Sequence, residues 1–158
     1  MIQIKTFETC ESFLRYYVDN DGDSIFPMTL QYLNYDDMYT DDKAVIWNVA
    51  EDEGEPIAMI CVRKMGIIPD SMHISVYEVN INYRGMGYGT DILYNFMKKA
   101  NTTYTLFTSP DHRSFYEQLG FVYSPTEDSP NFYIREPKSL YGDFNAYWFR
   151  RRIHWTCT

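Results

Sequence analysis

Apolar and polar positions along the chain follow two rhythms, and each change of rhythm marks the edge of an element. "IQIK" alternates with period two and opens as a short strand. Over residues 8–19, Phe13, Leu14, Tyr17 and Val18 recur at helical spacing. "DNDGDS" interrupts that stripe, and Pro27 suits the first turn of a second helix, with Met28, Tyr32, Tyr35 and Tyr39 on one face. "AVIWNVA" and "PIAMICVRK" read as two strands of a hairpin closed by "EDEGE", and "MHISVYEV" alternates as a further strand. Ile92, Leu93, Phe96, Met97 and Ala100 form the clearest helical stripe in the chain. "YTLFTS" is a buried-type strand, and "DHRSFYEQL" a short helix stopped by Gly120. "FVYS" and "NFYIRE" are final strands around the turn-rich "PTEDSP". The order β-α-α-β-β-β-α-β-α-β-β predicts one mixed α/β domain over residues 1–138. Residues 139–158 follow as an aromatic and basic extension.

Composition supports a folded globule. The chain has 158 residues, 45% hydrophobic and 18% aromatic, enough for one domain with a proper core. The formal charge of −8 sets the surface against nucleic acid and anionic membranes and favours a cationic or amine-bearing partner. No apolar run approaches the ~20 residues of a membrane helix. "MIQIKTFETCE" lacks the basic start and apolar centre of a signal peptide. Cys10, Cys61 and Cys157 are odd in number and widely spaced, as in a reduced cytoplasmic protein. His112 and His154 read as ordinary polar positions, and no His/Cys/Asp cluster has metal-ligand spacing, so no metal is expected.

The chemistry concentrates in "INYRGMGYGTDIL", where Gly85, Gly87 and Gly89 alternate just ahead of the strongest helical stripe. Glycine costs a helix roughly 1 kcal/mol relative to alanine, so three of them call for a reason. A strand ending at Val79, a loop over 80–87 and a helix from Tyr88 would aim unpaired N–H groups and the positive helix end at one spot. Such a spot seats a phosphate, bare glycines let it approach the backbone, and Arg84 adds a charged fork. The spacing excludes the P-loop, since no Lys-Ser or Lys-Thr follows, and excludes G-x-G-x-x-G. An RNA-recognition strand motif fits the opening "RG" but not Met86, Gly89 and Asp91, and an acidic chain argues against it.

"VNINYRGMGYGTDIL" resembles the acyl-CoA-binding motif of the GNAT superfamily of N-acyltransferases, R/Q-x-x-G-x-G/A after a strand ending in valine. "SPDHRSFYEQLGF" resembles that family's N-x-x-A-x-x-F-Y-x-x-x-G-F, at the expected distance. The resemblance covers roughly residues 2–136. It implies a mixed, mostly antiparallel sheet flanked by helices, with "MHISVYEV" splayed from "YTLFTS" to admit acetyl-CoA as co-substrate. It also implies that the main chain of Arg84, Gly85, Met86, Gly87, Tyr88 and Gly89 holds the pyrophosphate, with the Thr90 hydroxyl in support. The main chain around Val79 and Ile81 would pair with the pantetheine arm like an added strand. Ser109 and His112 stand where the family often has asparagine and alanine, Ser109 at the position of its pantetheine contact.

N-acylation needs an uncharged amine and a protonated leaving thiol, two tasks for general acid–base catalysis. Tyr116 matches the tyrosine that the family places near the CoA sulfur and is the expected acid. For the base, His73 shares a strand face with Ser75, Tyr77 and Val79, whereas Glu78 would need a bulge to reach the cleft; a water chain is the third option. The acceptor wall of the family falls on residues 19–42, which carry Asp19, Asp21, Asp23, Asp36, Asp37, Asp41 and Asp42 and no Lys or Arg. That sign suits a cationic amine as firmly as it suits a plain solvated surface. The expected activity is transfer of an acetyl group to a primary amine by direct attack. A CoA-binding regulatory module without catalysis is the competing expectation. Tyr141, Phe144, Tyr147, Trp148, Phe149 and Trp155 point to a homodimer contact or to cover for the protein's own sheet edge.

Overall fold

The computed structural model describes residues 1–33, 45–65, 68 and 70–137. Its strands are β1 (Ile2–Phe7), β2 (Val45–Asp52), β3 (Glu55–Met65), β4 (Ser71–Val79), β5 (Thr103–Phe107), β6 (Val122–Tyr123) and β7 (Phe132–Arg135). They form one sheet in the order β1-β2-β3-β4-β5-β7-β6. The ladders β1–β2, β2–β3, β5–β7 and β6–β7 are antiparallel, and β4–β5 is parallel. The helices are α1 (Cys10–Asp19), α2 (Gly22–Ile25), α3 (Pro27–Leu33), α4 (Tyr88–Lys98) and α5 (Arg113–Gln118). The described residues fall into two compact units, those of Met1–Lys64 with Ile74–Ile92, and those of Met65–His73 with Leu93 to residue 137.

In the first unit the β2–β3 hairpin turns on Glu53 and Gly54, both at positive φ (50° and 84°) between the paired Asp52 and Glu55. That is the primed two-residue turn whose twist matches the strands it joins. Helix α1 starts on Thr9, whose hydroxyl accepts the Ser12 N–H at 3.2 Å. Its apolar stripe packs Phe13 flat against Trp47, ring centroids 4.1 Å apart, in a core shared with Tyr17, Phe26, Val49 and Met59. Close packing of such rings contributes beyond the area they bury.

"DNDGDS" is not a simple break. Asp21 turns at φ 55°, and Gly22–Ile25 makes one further helical turn. A Cβ at Gly22 would fall 2.3 Å from the Tyr17 ring, so only glycine lets that ring lie on the backbone. The Tyr17 hydroxyl then donates to the Phe26 carbonyl at 3.0 Å, which fixes where α3 begins. Tyr35 and Tyr39, expected on the same helix face as Met28 and Tyr32, lie outside the described residues, as does the extension 139–158.

In the second unit, β5 is paired on both sides. Its parallel ladder with β4 runs from Ser71↔Thr103 to His73↔Thr105, and its antiparallel ladder with β7 runs from Tyr104↔Arg135 to Phe107↔Phe132. Leu93, Met97, Leu106, Leu119, Phe121 and Tyr133 are buried there. Gly120, at φ 95°, ends the α5 turn where a side chain would strain the backbone.

Candidate active site

The glycine segment sits where the sequence places it. Strand β4 ends at Val79, Ile81–Tyr83 form a 3₁₀ turn, and α4 starts at Tyr88. Asn80 opens this connection: its side chain donates to the Pro56 carbonyl at 2.7 Å and accepts the Asn82 N–H at 2.9 Å. Its own N–H donates to the Ile57 carbonyl at 2.8 Å. An Asx turn of this kind fixes the direction in which the chain leaves the strand.

Gly85 and Gly87 adopt φ of 77° and 85°, and an added Cβ at either would have no atom within 4 Å. Their glycine identity therefore answers to the left-handed backbone and to open space on that side, not to neighbouring protein. Gly89 differs, because it already lies within α4; its carbonyl accepts the Tyr77 hydroxyl at 2.5 Å. Tyr83 and Tyr88 meet edge to face at 5.9 Å across the turn. An 11-residue helix thus begins directly after two left-handed glycines. Its first N–H groups and positive end suit an oxyanion, and the bare backbone admits one at close range. This donor set fits the pyrophosphate of an acyl-CoA.

Arg84 is not a loose fork. Its Nε donates to the Val79 carbonyl at 3.1 Å and one Nη to Glu78 at 3.1 Å. Val79 therefore uses its carbonyl within the turn, and Ile81 lies in the 3₁₀ segment, not in an extended edge. Met86 and Ile81 are exposed, and Thr90 is half-buried in the first turn of α4.

The Glu78 side chain is 1% exposed. One carboxylate oxygen accepts the Thr29 N–H and the Thr29 hydroxyl, both at 2.7 Å. The other accepts the Met28 N–H at 2.9 Å and Arg84. Helix α3 has no acidic residue in its own first turn, and β4 supplies one in its place.

The second unit carries His73, Ser109 and Tyr116. His73 is buried, its Nδ1 lies 2.9 Å from the Thr105 hydroxyl, and its ring meets Phe107 at 5.0 Å. Tyr116 is half-buried on α5, in edge-to-face contact with Phe115 at 5.0 Å and Phe121 at 5.7 Å. Ser109 caps the 3₁₀ turn Pro110–His112, with its hydroxyl 3.3 Å from the His112 Nδ1. The sequence gives little signal for the bonds of Thr29 to Glu78, Thr105 to His73 or Tyr77 to Gly89, because only the packed elements create them. The Asx turn at Asn80 is the exception, since an asparagine at a strand end is a local signal.

A model of the acetyltransferase (GNAT) family matches residues 7–121. Escherichia coli ElaA shares the fold at 20% identity with a TM-score of 0.62, covering 86% of this chain and all (100%) of that one. An acyl-CoA N-acyltransferase from Pseudomonas aeruginosa does so at 15% identity and a TM-score of 0.61, over 85% of this chain and 99% of that one. The PaiA N-acetyltransferase of Thermoplasma acidophilum, solved in complex with coenzyme A, has 15% identity and a TM-score of 0.52, over 85% and 99%. No curated protein matches the chain in sequence. The family match, with the seven-stranded mixed sheet and the glycine turn ahead of α4, places the fold with the acyl-CoA-dependent N-acyltransferases. The family match spans most of the sequence, and the chain belongs to the acetyltransferase (GNAT) family.

Among the described residues, no helix is long and apolar enough to cross a membrane, and no three His, Cys, Asp or Glu side chains converge to hold a metal ion.

Proposed function

We propose that the protein transfers an acetyl group from acetyl-CoA to a primary amine by direct attack in a ternary complex. The observation that carries this reading is the pair of left-handed glycines, Gly85 and Gly87, with open space where side chains would stand and a helix N-terminus directly behind them. Bound acetyl-CoA would bring an activated thioester. The main chain from Arg84 to Gly89 would hold its pyrophosphate, with Thr90 in support. Val79, Ile81 and Ser109 would line the pantetheine arm.

Tyr116 would donate its phenolic proton to the departing sulfur. For the base, His73 suits the task better than Glu78, whose two oxygens already accept bonds from Met28, Thr29 and Arg84. A neutral His73, held with its Nδ1 2.9 Å from the Thr105 hydroxyl, would take the amine proton. Asp19, Asp21 and Asp23 are exposed, and with the acidic positions at 36–42 they would draw a cationic amine, in keeping with a cytoplasmic protein that avoids nucleic acid. Residues 139–158 would supply a homodimer contact.

Mixing the protein with acetyl-CoA and a panel of primary amines, with free thiol as the readout, tests the activity and the acceptor together. Amine-dependent thiol release is the expected result. CoA binding without release for any amine would support a regulatory module instead.

A further inference from the structure

The buried carboxylate of Glu78 joins three elements that the glycine turn does not itself connect. It stands at the end of β4, accepts the Met28 and Thr29 N–H groups at the start of α3, and holds the Arg84 guanidinium beside the turn. We infer that Glu78 is a positioning residue that pre-orients Arg84 for the acyl-CoA pyrophosphate and ties that turn to α3. This inference rests on the proposed acyl-CoA site.

The hydrogen-bond geometry fixes the assignment. Glu78 Oε1 is used by Thr29 alone, through its N–H and its hydroxyl, whereas Oε2 is shared between the Met28 N–H and Arg84 Nη2. A carboxylate with four donors on its two oxygens has its acceptor sites filled. It is ill suited to receive a proton from an amine, and well suited to hold a cation. Arg84 is about half exposed (47%) despite this anchor, and among the described residues its second terminal nitrogen has no partner. Two bonds, to Val79 and to Glu78, thus stop the long side chain from roaming and leave Nη1 for an incoming anion. Ordering a free arginine on binding costs roughly 0.5–1.5 kcal/mol, or about 2- to 13-fold in affinity, and that cost is removed in advance.

Helix α3 shares the same oxygen. Its first two free N–H groups end on Glu78, and Thr29 is fully buried against it. Helix α3, which lies within the acidic stretch 19–42, and the turn proposed to hold CoA therefore share one anchor. A glutamine at position 78 preserves the shape but not this arrangement. In either amide orientation one NH₂ faces a backbone N–H, and in both the negative charge that pairs with Arg84 is lost.

The test is CoA binding by titration calorimetry, with acetyl-transfer kinetics on the full chain. Glu78→Gln is expected to raise the CoA Kd about fivefold. It should lower kcat at saturating acetyl-CoA by less than threefold and leave the pH dependence of kcat in place. In an Arg84→Met background, Glu78→Gln should add nothing further to the CoA Kd, since the side chain it orients is gone. Should Glu78→Gln fail to fold, Arg84→Lys serves in its place. It keeps the charge but cannot bond Val79 and Glu78 at once, and the same fivefold loss is expected. An unchanged or tighter Kd in Glu78→Gln or Arg84→Lys would overturn the inference. So would a kcat loss of about a hundredfold at unchanged Kd, the signature of a general base. Wild-type protein that binds no CoA would instead overturn the acyl-CoA site itself, a different and separable outcome.

Discussion

Tyr116 is where a single atom carries the proposed chemistry. Its ring is held edge to face by Phe115 and Phe121, contacts that Tyr116→Phe keeps while removing only the hydroxyl. If that hydroxyl protonates the leaving thiolate, kcat should fall by about 10²–10⁴ while CoA affinity and thermal stability stay as they are. Turnover within about threefold of wild type would hand the role of acid to water. The residue scale is also where sequence reading has the shortest reach. The unusual backbone at Gly85 and Gly87 was legible, because glycines crowded ahead of a helical stripe call for special dihedrals or a close approach, and both adopt positive φ. Glu78 could not be assigned in the same way. Its face was legible from strand alternation, but its partners, the Thr29 hydroxyl and the Met28 and Thr29 N–H groups, lie 49 and 50 positions back in the chain. Alternation gives a side chain's direction and says nothing of what packs there.

At the scale of elements, periodicity located each of the long helices and strands, because their apolar faces are continuous. The miss was the helical turn Gly22–Ile25, hidden in a stretch rich in turn formers. Its cause is tertiary: the Tyr17 ring occupies the space beside Gly22, a contact no local rule contains. This yields a test of packing. Gly22→Ala should gain roughly 1 kcal/mol in helix propensity, but a Cβ 2.3 Å from the Tyr17 ring puts the overpacking cost near the upper end of about 1–3 kcal/mol, a net loss of about 1–2 kcal/mol. The ring cannot easily retreat, since its hydroxyl is bonded to Phe26 and it packs among the buried core rings. Thermal melting should therefore show a Tm lowered by several degrees. An unchanged or higher Tm would mean that the α1–α2 corner is looser than its contacts suggest.

For the whole molecule, the mixed sheet was legible from the order of elements together with two motifs, "RGMGYG" and "FYEQLGF". The parallel pairing of β4 with β5 was not assigned from the sequence, since a helical crossover fits several topologies. Residues 139–158 belong to this scale too, because six aromatic side chains in a short stretch call for cover from the chain itself or from a second copy. If they build a dimer, a chain ending at Lys138 should halve its mass in light scattering and stay folded; an unchanged mass would remove the dimer role. The account as a whole stands on the glycine turn as the seat of the CoA pyrophosphate. Its most direct measurement is CoA binding by calorimetry to wild type, Gly87→Ala and Gly87→Asp, with circular dichroism on each to confirm the fold. Wild type should bind with a Kd on the order of micromolar. Gly87→Ala should bind more weakly, through backbone strain at φ 85°. Gly87→Asp should lose detectable binding, because a carboxylate then stands where the phosphate must lie. Equal CoA affinity in folded wild type and Gly87→Asp would contradict the account.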